Sequence, residues 1–132
     1  MAITLQSDRQ ESAWATVDFS YTDLTSGSAA TAIKLPVGAV VVGGAVVVKT
    51  AFNSGTSDAL VVGDSATANR YLASTSVAAA GRTALVPTGY QALPTTREIK
   101  VTWTAVGTAA SAGAIRLEIN YLVPGRATFS QD

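Results

Sequence analysis

The sequence predicts an all-β chain, a single-domain antiparallel β-sandwich of about eight short strands with a jelly-roll-like arrangement. Three observations predict it. Segments rich in β-branched residues alternate apolar and polar side chains with a period of two; Gly, Pro, Asn and Asp punctuate them at short intervals; almost no stretch carries a helical period. At 132 residues the chain is one domain by length, large enough to bury roughly two-thirds of the surface its unfolded form exposes. We divide it into an N-terminal arm at 1–13, the sandwich domain at 14–123 and a C-terminal tail at 124–132.

Residues Met1 to Ser12 are polar and aperiodic after Leu5 and read as an arm. Trp14 to Tyr21 alternates, with Ala15, Val17, Phe19 and Tyr21 on one face and Thr16, Asp18 and Ser20 on the other, which is the pattern of a half-buried strand. A turn-rich link at Asp23 to Ser28 leads to a short strand, Thr31 to Leu35, ended by Pro36.

The run Leu35 to Thr50, LPVGAVVVGGAVVVKT, is the densest block of β-branched residues. Stiff at χ1, such side chains pack well on a buried pleated surface. The run is bracketed by Lys34 and Lys49, contains Pro36 and falls short of the ~20 residues that span a bilayer, so a core strand is expected rather than a membrane helix. Gly43-Gly44 in its middle marks a bulge or bend.

Asn53-Ser54-Gly55 then forms a tight turn, Ala59 to Val62 a short strand, and Arg70-Tyr71-Leu72 the start of another. The alanine-rich segment Thr75 to Gly81 admits one or two helical turns or a loop ended by Gly81. Arg82 to Val86 is a brief strand stopped by Pro87, and Thr88 to Thr96 is connecting chain. Ile99, Val101, Trp103 and Ala105 alternate with polar neighbours, as do Ile115, Leu117, Ile119 and Tyr121. With GTAASAG between them, these two strands are expected to pair as a hairpin, bringing Glu98 or Lys100 near Arg116 or Glu118.

Composition excludes several chemistries. There is no cysteine and no histidine, which removes thiol catalysis, thiolate metal sites, disulfides and the commonest general base. Nine basic residues balance nine acidic ones, and the charged fraction of 14% is low beside the ~25% of typical domains. Nothing in this balance grips nucleic acid. The remaining surface must be Ser, Thr, Ala and Gly, a neutral coat suited to broad contact with other protein surfaces. The N-terminus shows no basic region followed by an apolar one, so synthesis in a cytoplasm without signal-peptide export is expected.

Candidate sites are few. Asp58 and Asp64, with Asn53 and Asn69, supply oxygen ligands of the kind calcium takes, but not the alternating spacing of a twelve-residue calcium loop; Asx turns at strand ends are the plainer reading. Asp18, Asp23, Glu98 and Glu118 fall on outward faces or turns rather than as a close pair in a cleft. The glycine pair lacks the pattern of a phosphate cradle. Of the aromatic residues, Trp103 and Tyr121 lie on apolar strand faces, and Tyr90, beside Gly89 in a loop, is the best exposed contact. No cofactor, metal or catalytic residue is expected.

The segment AFNSGTSDALVVGDSATANRYL, residues 51–72, and the ending AGAIRLEINYLVPGRATFSQ, residues 112–131, resemble small structural proteins of tailed bacteriophages. The narrower likeness is to those that decorate or cement the capsid, and it covers most of the chain from Trp14 onward. The resemblance implies a homotrimer on the outer capsid surface whose partner is the major capsid protein, with no nucleic acid and no membrane involved, made in the host cytoplasm and resident in the virion. Under it, Ile3, Leu5 and Arg9 of the arm, Asn53, Asp64 and Tyr90 of the loops, and Arg126 and Phe129 of the tail are the expected contacts. A tail, neck or fibre component is the alternative virion reading. A carbohydrate-binding β-sandwich with Tyr71, Tyr90 and Trp14 clustered on its surface is the alternative outside it.

Overall fold

The structure, a computed structural model, describes residues 11–124. Within them eight strands form two four-stranded, wholly antiparallel sheets: β1 (Ala13–Ser20), β2 (Ala29–Lys34), β3 (Val40–Thr50), β4 (Ser57–Gly63), β5 (Leu72–Ser76), β6 (Gly81–Ala84), β7 (Glu98–Val106) and β8 (Ala114–Leu122). One sheet has the order β1-β8-β3-β6 and the other β2-β7-β4-β5. A short 3-10 turn, Tyr21–Asp23, follows β1, where the Ser20 amide donates to Asp23 Oδ2 at 2.9 Å.

The pairing has a simple logic. β1 pairs with β8, β2 with β7, β3 with β6 and β4 with β5, as in one long antiparallel ribbon with its tip at the β4–β5 connection. Rolling that ribbon brings β8 also against β3 and β7 against β4. The result is the eight-stranded jelly roll expected from the sequence.

The last two strands correct one expectation. β7 and β8 exist nearly where the alternation placed them, but they lie in opposite sheets and do not pair. Their link, 107–113, is longer than a tight hairpin needs and instead crosses the sandwich, a gap of about 10 Å. The charged side chains accordingly pair within each strand: Arg116 Nε lies 2.8 Å from Glu118 Oε2, and Lys100 Nζ 3.6 Å from Glu98 Oε1. A hydrogen bond from the Thr31 hydroxyl holds the Glu98 carboxyl below the usual carboxylate range, helped by Lys100 and Lys34 against partial desolvation.

The valine run is the interior strand β3, preceded by a turn at Pro36 to Ala39. Its register against β8 shifts between Val41 and Gly43, a bulge at the predicted place. Gly44 has φ +136, and a Cβ there would lie 2.2 Å from the Glu118 carbonyl oxygen. Only glycine lets β3 approach β8 so closely.

The alanine-rich segment is neither helix nor open loop at its start. β5 runs to Ser76, and buried Val77 donates its amide to the Asp58 carbonyl while its own carbonyl accepts from the Phe52 amide. Those long-range backbone bonds hold the chain extended where alanine propensity alone favours helix.

The core fills the space between the sheets with Val41, Val46 and Val48 of β3, Leu60 and Val62 of β4, Ile99, Val101 and Trp103 of β7, and Ile115, Leu117 and Ile119 of β8. Leu35, Phe52, Tyr71 and Val77 close its ends from the connections. Phe52 and Trp103 meet at 5.3 Å between ring centroids with planes tilted by 57°, a favoured aromatic geometry.

Candidate functional site

Strand directions sort the connections into two ends. The β1–β2, β3–β4, β5–β6 and β7–β8 links gather at one end. The β2–β3, β4–β5 and β6–β7 links gather at the other, together with the start of β1 and the finish of β8. We call these the far end and the terminus end.

Asn53 sits at the far end. Its Oδ1 accepts from the Ser111 and Ala112 amides at 2.8 and 3.0 Å, and its Nδ2 donates to Ser111 Oγ at 2.9 Å. The side chain thereby staples the β3–β4 link to the β7–β8 link, which the Gly55 amide to Thr108 carbonyl bond reinforces. Asp58 anchors the same corner from inside: its carboxylate accepts from the Ser54 amide, the Ser54 hydroxyl and the Trp103 indole.

Asp64 and Tyr90 are brought together at the terminus end. Asp64, 3% exposed, accepts from the Ala66 and Thr67 amides at 2.9 and 2.8 Å, an Asx turn closing the β4–β5 link, and its second oxygen pairs with Arg70 Nε. The Arg70 guanidinium then lies over the Tyr90 ring, 3.5 Å from its centroid. The Tyr90 hydroxyl shares a hydrogen bond with Thr96 Oγ1 at 2.9 Å. A cation between a carboxylate and an aromatic face fixes the β4–β5 link against the β6–β7 loop. Tyr90 is therefore half-buried under Arg70 rather than freely exposed.

Tyr71, next to this network, is fully buried, and its hydroxyl has no hydrogen-bond partner among the described residues. Burial, followed by the nearby Asp64 carboxylate, pushes its phenol above the usual tyrosine value, with Arg70 opposing. Because Tyr71 is in the core, the surface cluster of Tyr71, Tyr90 and Trp14 does not form. Trp14 does stand exposed, on β1.

A cleft of about 330 Å³ opens at the terminus end between Glu11, Ser12, Ala13, Pro36 and the last residues of β8, Tyr121 to Val123. Ile3, Leu5, Arg9, Arg126 and Phe129 lie outside the described residues. Among the described residues no group of three or more Asp and Glu is placed to hold a metal ion, and no helix is long and apolar enough to cross a membrane.

Comparison with solved structures finds this jelly roll elsewhere. Among its neighbours are chains of phage capsid structures. A chain of the cyanophage Pam1 capsid asymmetric unit superposes with a TM-score of 0.73 at 20% identity, covering 94% of this chain and 92% of that one. A chain of the acid-stable capsid of Helicobacter pylori bacteriophage KHP30 gives 0.67 at 19%, covering 92% and 95%. One from the capsid of Ralstonia phage GP4 gives 0.67 at 19%, covering 92% and 88%. At such identities the likeness establishes the fold. No protein-family model matches the sequence, and no curated protein matches it.

Asn53, Asp64 and Tyr90, singled out from the sequence, each prove to be a hub of their loop. Arg70, which joins two of them, was not foreseen. Spacing offered a partial signal, because Asp64 and Arg70 stand six positions apart across one turn, but Tyr90 is brought to Arg70 only by the fold.

Proposed function

We propose that this chain is a structural, non-catalytic protein of a bacteriophage virion that binds the outer capsid surface and stabilises the head. The observation that carries the reading is the overlap, over 94% of this chain and 92% of the other, with a chain of a phage capsid structure at a TM-score of 0.73. A neutral surface without histidine or cysteine supports it, since such a surface suits docking over wide areas better than chemistry. In this reading the partner is the major capsid protein, the chain is a homotrimer, and it is made in the host cytoplasm.

The physics is that of a cement. A protein bridging adjacent shell subunits adds contacts that must break before the shell opens, and many copies make modest single contacts sufficient. Mass spectrometry of separately purified heads and tails tests the assignment: the chain is expected in heads at high copy, and its confinement to tails would overturn the reading. Removing residues 1–12, which precede β1, is expected to weaken co-sedimentation with undecorated heads while leaving cooperative melting intact.

A further inference from the structure

The two flanks of the sandwich are finished differently. β1 and β2, end strands of the two sheets, touch at one flank, and the end strands β5 and β6 form the other. At the β5–β6 flank the half-buried inward positions opposite Leu60 and Val46 are Thr75 and Thr83, whose hydroxyls suit the water that reaches them. Buried Leu72, Val77 and Leu85 close the space behind. At the β1–β2 flank the half-buried positions are apolar: Ala15, Val17 and Phe19 on β1, Ala30 and Ala32 on β2.

The free edge of β1 is also the least protected. Short strands, bulges, prolines and lysines keep sheet edges from pairing with another chain. β6 has four residues and β5 five, and the register of β2 slips between Thr31 and Ile33. β1 instead runs for eight residues in unbroken register with β8, with no proline, lysine or bulge. Such an edge is a template for an added strand.

Charge selects the partner. Asp18 is paired with Lys49 at 2.9 Å, and Glu11 has an interaction of its own. Asp23, in the 3-10 turn at the far end, and Lys34, the last residue of β2 at the terminus end, are both exposed. Lys34 lies opposite Glu98, but that carboxylate is held by Lys100 and Thr31. The flank is thus apolar along its length, acidic at one end and basic at the other. A second flank of the same kind, turned end for end, sets apolar strip on apolar strip and Asp23 against Lys34 at both ends. That direction also continues the antiparallel ladder of the sheet beyond β1.

We infer that the β1–β2 flank is a self-association surface, on which a second copy of this chain docks about a two-fold axis with the two β1 strands antiparallel. The contact covers Val17, Phe19 and Ala30 of both copies. It goes beyond the decoration reading and does not depend on shell binding. Being two-fold, it is separate from the three-fold contact of the proposed homotrimer and joins chains of two trimers.

The test is sedimentation velocity of the full chain over a concentration series, with thermal melting of each variant to report on folding. The unaltered chain is expected to form species with an even number of copies. Thr16→Lys, which sets two ammonium groups at the contact between the β1 strands, is expected to weaken association roughly tenfold or more. Ser76→Lys, on β5 at the other flank, should leave it unchanged. Asp23→Lys and Lys34→Asp should each weaken association and together restore it, which a mere loss of stability would not do. Asp23 also accepts from the Ser20 amide, so Asp23→Asn serves as the single variant if melting shows that the turn suffers. Hydrogen exchange gives a second reading: β1 amides gain protection as concentration rises, and β5 amides do not. A chain that stays monomeric or purely trimeric, association that survives Thr16→Lys, or folded charge variants without effect or without rescue overturns the inference. Equal loss with Ser76→Lys overturns it as well, because the β1–β2 flank would then not be the contact.

Discussion

The Trp103 indole Nε1 donates to Asp58 Oδ1 across the β4–β7 pair at 2.9 Å, inside the core. Asp58 is 2% exposed and also accepts from the Ser54 amide and hydroxyl at 2.9 and 2.6 Å. One carboxylate thus satisfies an indole that burial would otherwise leave unpaired and the turn that opens β4. Asp58→Ala strands three donors at once, and we expect a loss of about 3 kcal/mol in urea unfolding. Trp103→Phe keeps much of the packing and should cost less, about 1–2 kcal/mol. Equal stability of Asp58→Ala and the unaltered chain would show that the corner does not depend on this carboxylate.

Tyr71 makes the opposite prediction. Its buried hydroxyl is unpartnered among the described residues, so Tyr71→Phe removes a desolvation cost and is expected to leave stability unchanged or raise it by about 1 kcal/mol. The pH dependence has a definite sign. With the folded-state value raised above the unfolded one near 10, the neutral phenol favours folding fully below pH 10, and that contribution is lost as pH rises through the folded value. Denaturation midpoints measured from pH 8 upward should therefore fall less steeply in Tyr71→Phe. Identical alkaline limbs would refute this account.

The two glycines of β3 should behave differently. A Cβ at Gly43 meets nothing nearer than Asn120 Cβ at 3.9 Å, so Gly43→Ala should be neutral or stabilising by up to about 1 kcal/mol through the unfolded chain. Gly44→Ala drives a methyl into the Glu118 carbonyl at a positive φ and should cost at least about 3 kcal/mol. Thermal melts of the two single variants decide it, and similar melting temperatures would contradict the close approach of β3 to β8.

Arg70 joins Asp64 to Tyr90, and its loss leaves a buried carboxylate with only two backbone donors. We expect Arg70→Ala to cost about 2–3 kcal/mol, less than a fully buried pair because Arg70 is partly exposed. Arg70→Lys should recover only part of that, since an ammonium cannot lie flat on the Tyr90 ring while bonding Asp64. Full recovery in chemical denaturation would mean that charge alone matters at this site.

Much of the fold is legible in the chain because period-two alternation is a local property. Val17 and Phe19, Ile99 to Trp103, and Ile115 to Ile119 announce strand and inward face without reference to any partner. Gly43-Gly44 likewise announces the bulge, since no packing argument favours paired glycines inside a valine strand. The hairpin expected of β7 and β8 failed for a reason equally physical: alternation says which face of a strand is buried, not which neighbour completes its ladder. A seven-residue link serves a loose hairpin or a crossing between sheets, and only the competing partners, β4 for β7 and β3 for β8, choose.

The same division holds for the site. By itself the sequence determined that the protein is a sandwich built on β3, that its loop acids sit in turns, and that thiol and imidazole chemistry are closed to it, because these follow from residue type and local period. Tertiary structure alone decided that Arg70 bridges Asp64 and Tyr90, that Tyr71 is core rather than surface, and that β7 and β8 lie in opposite sheets. Those are relations between residues distant in sequence, set by how the ribbon rolls.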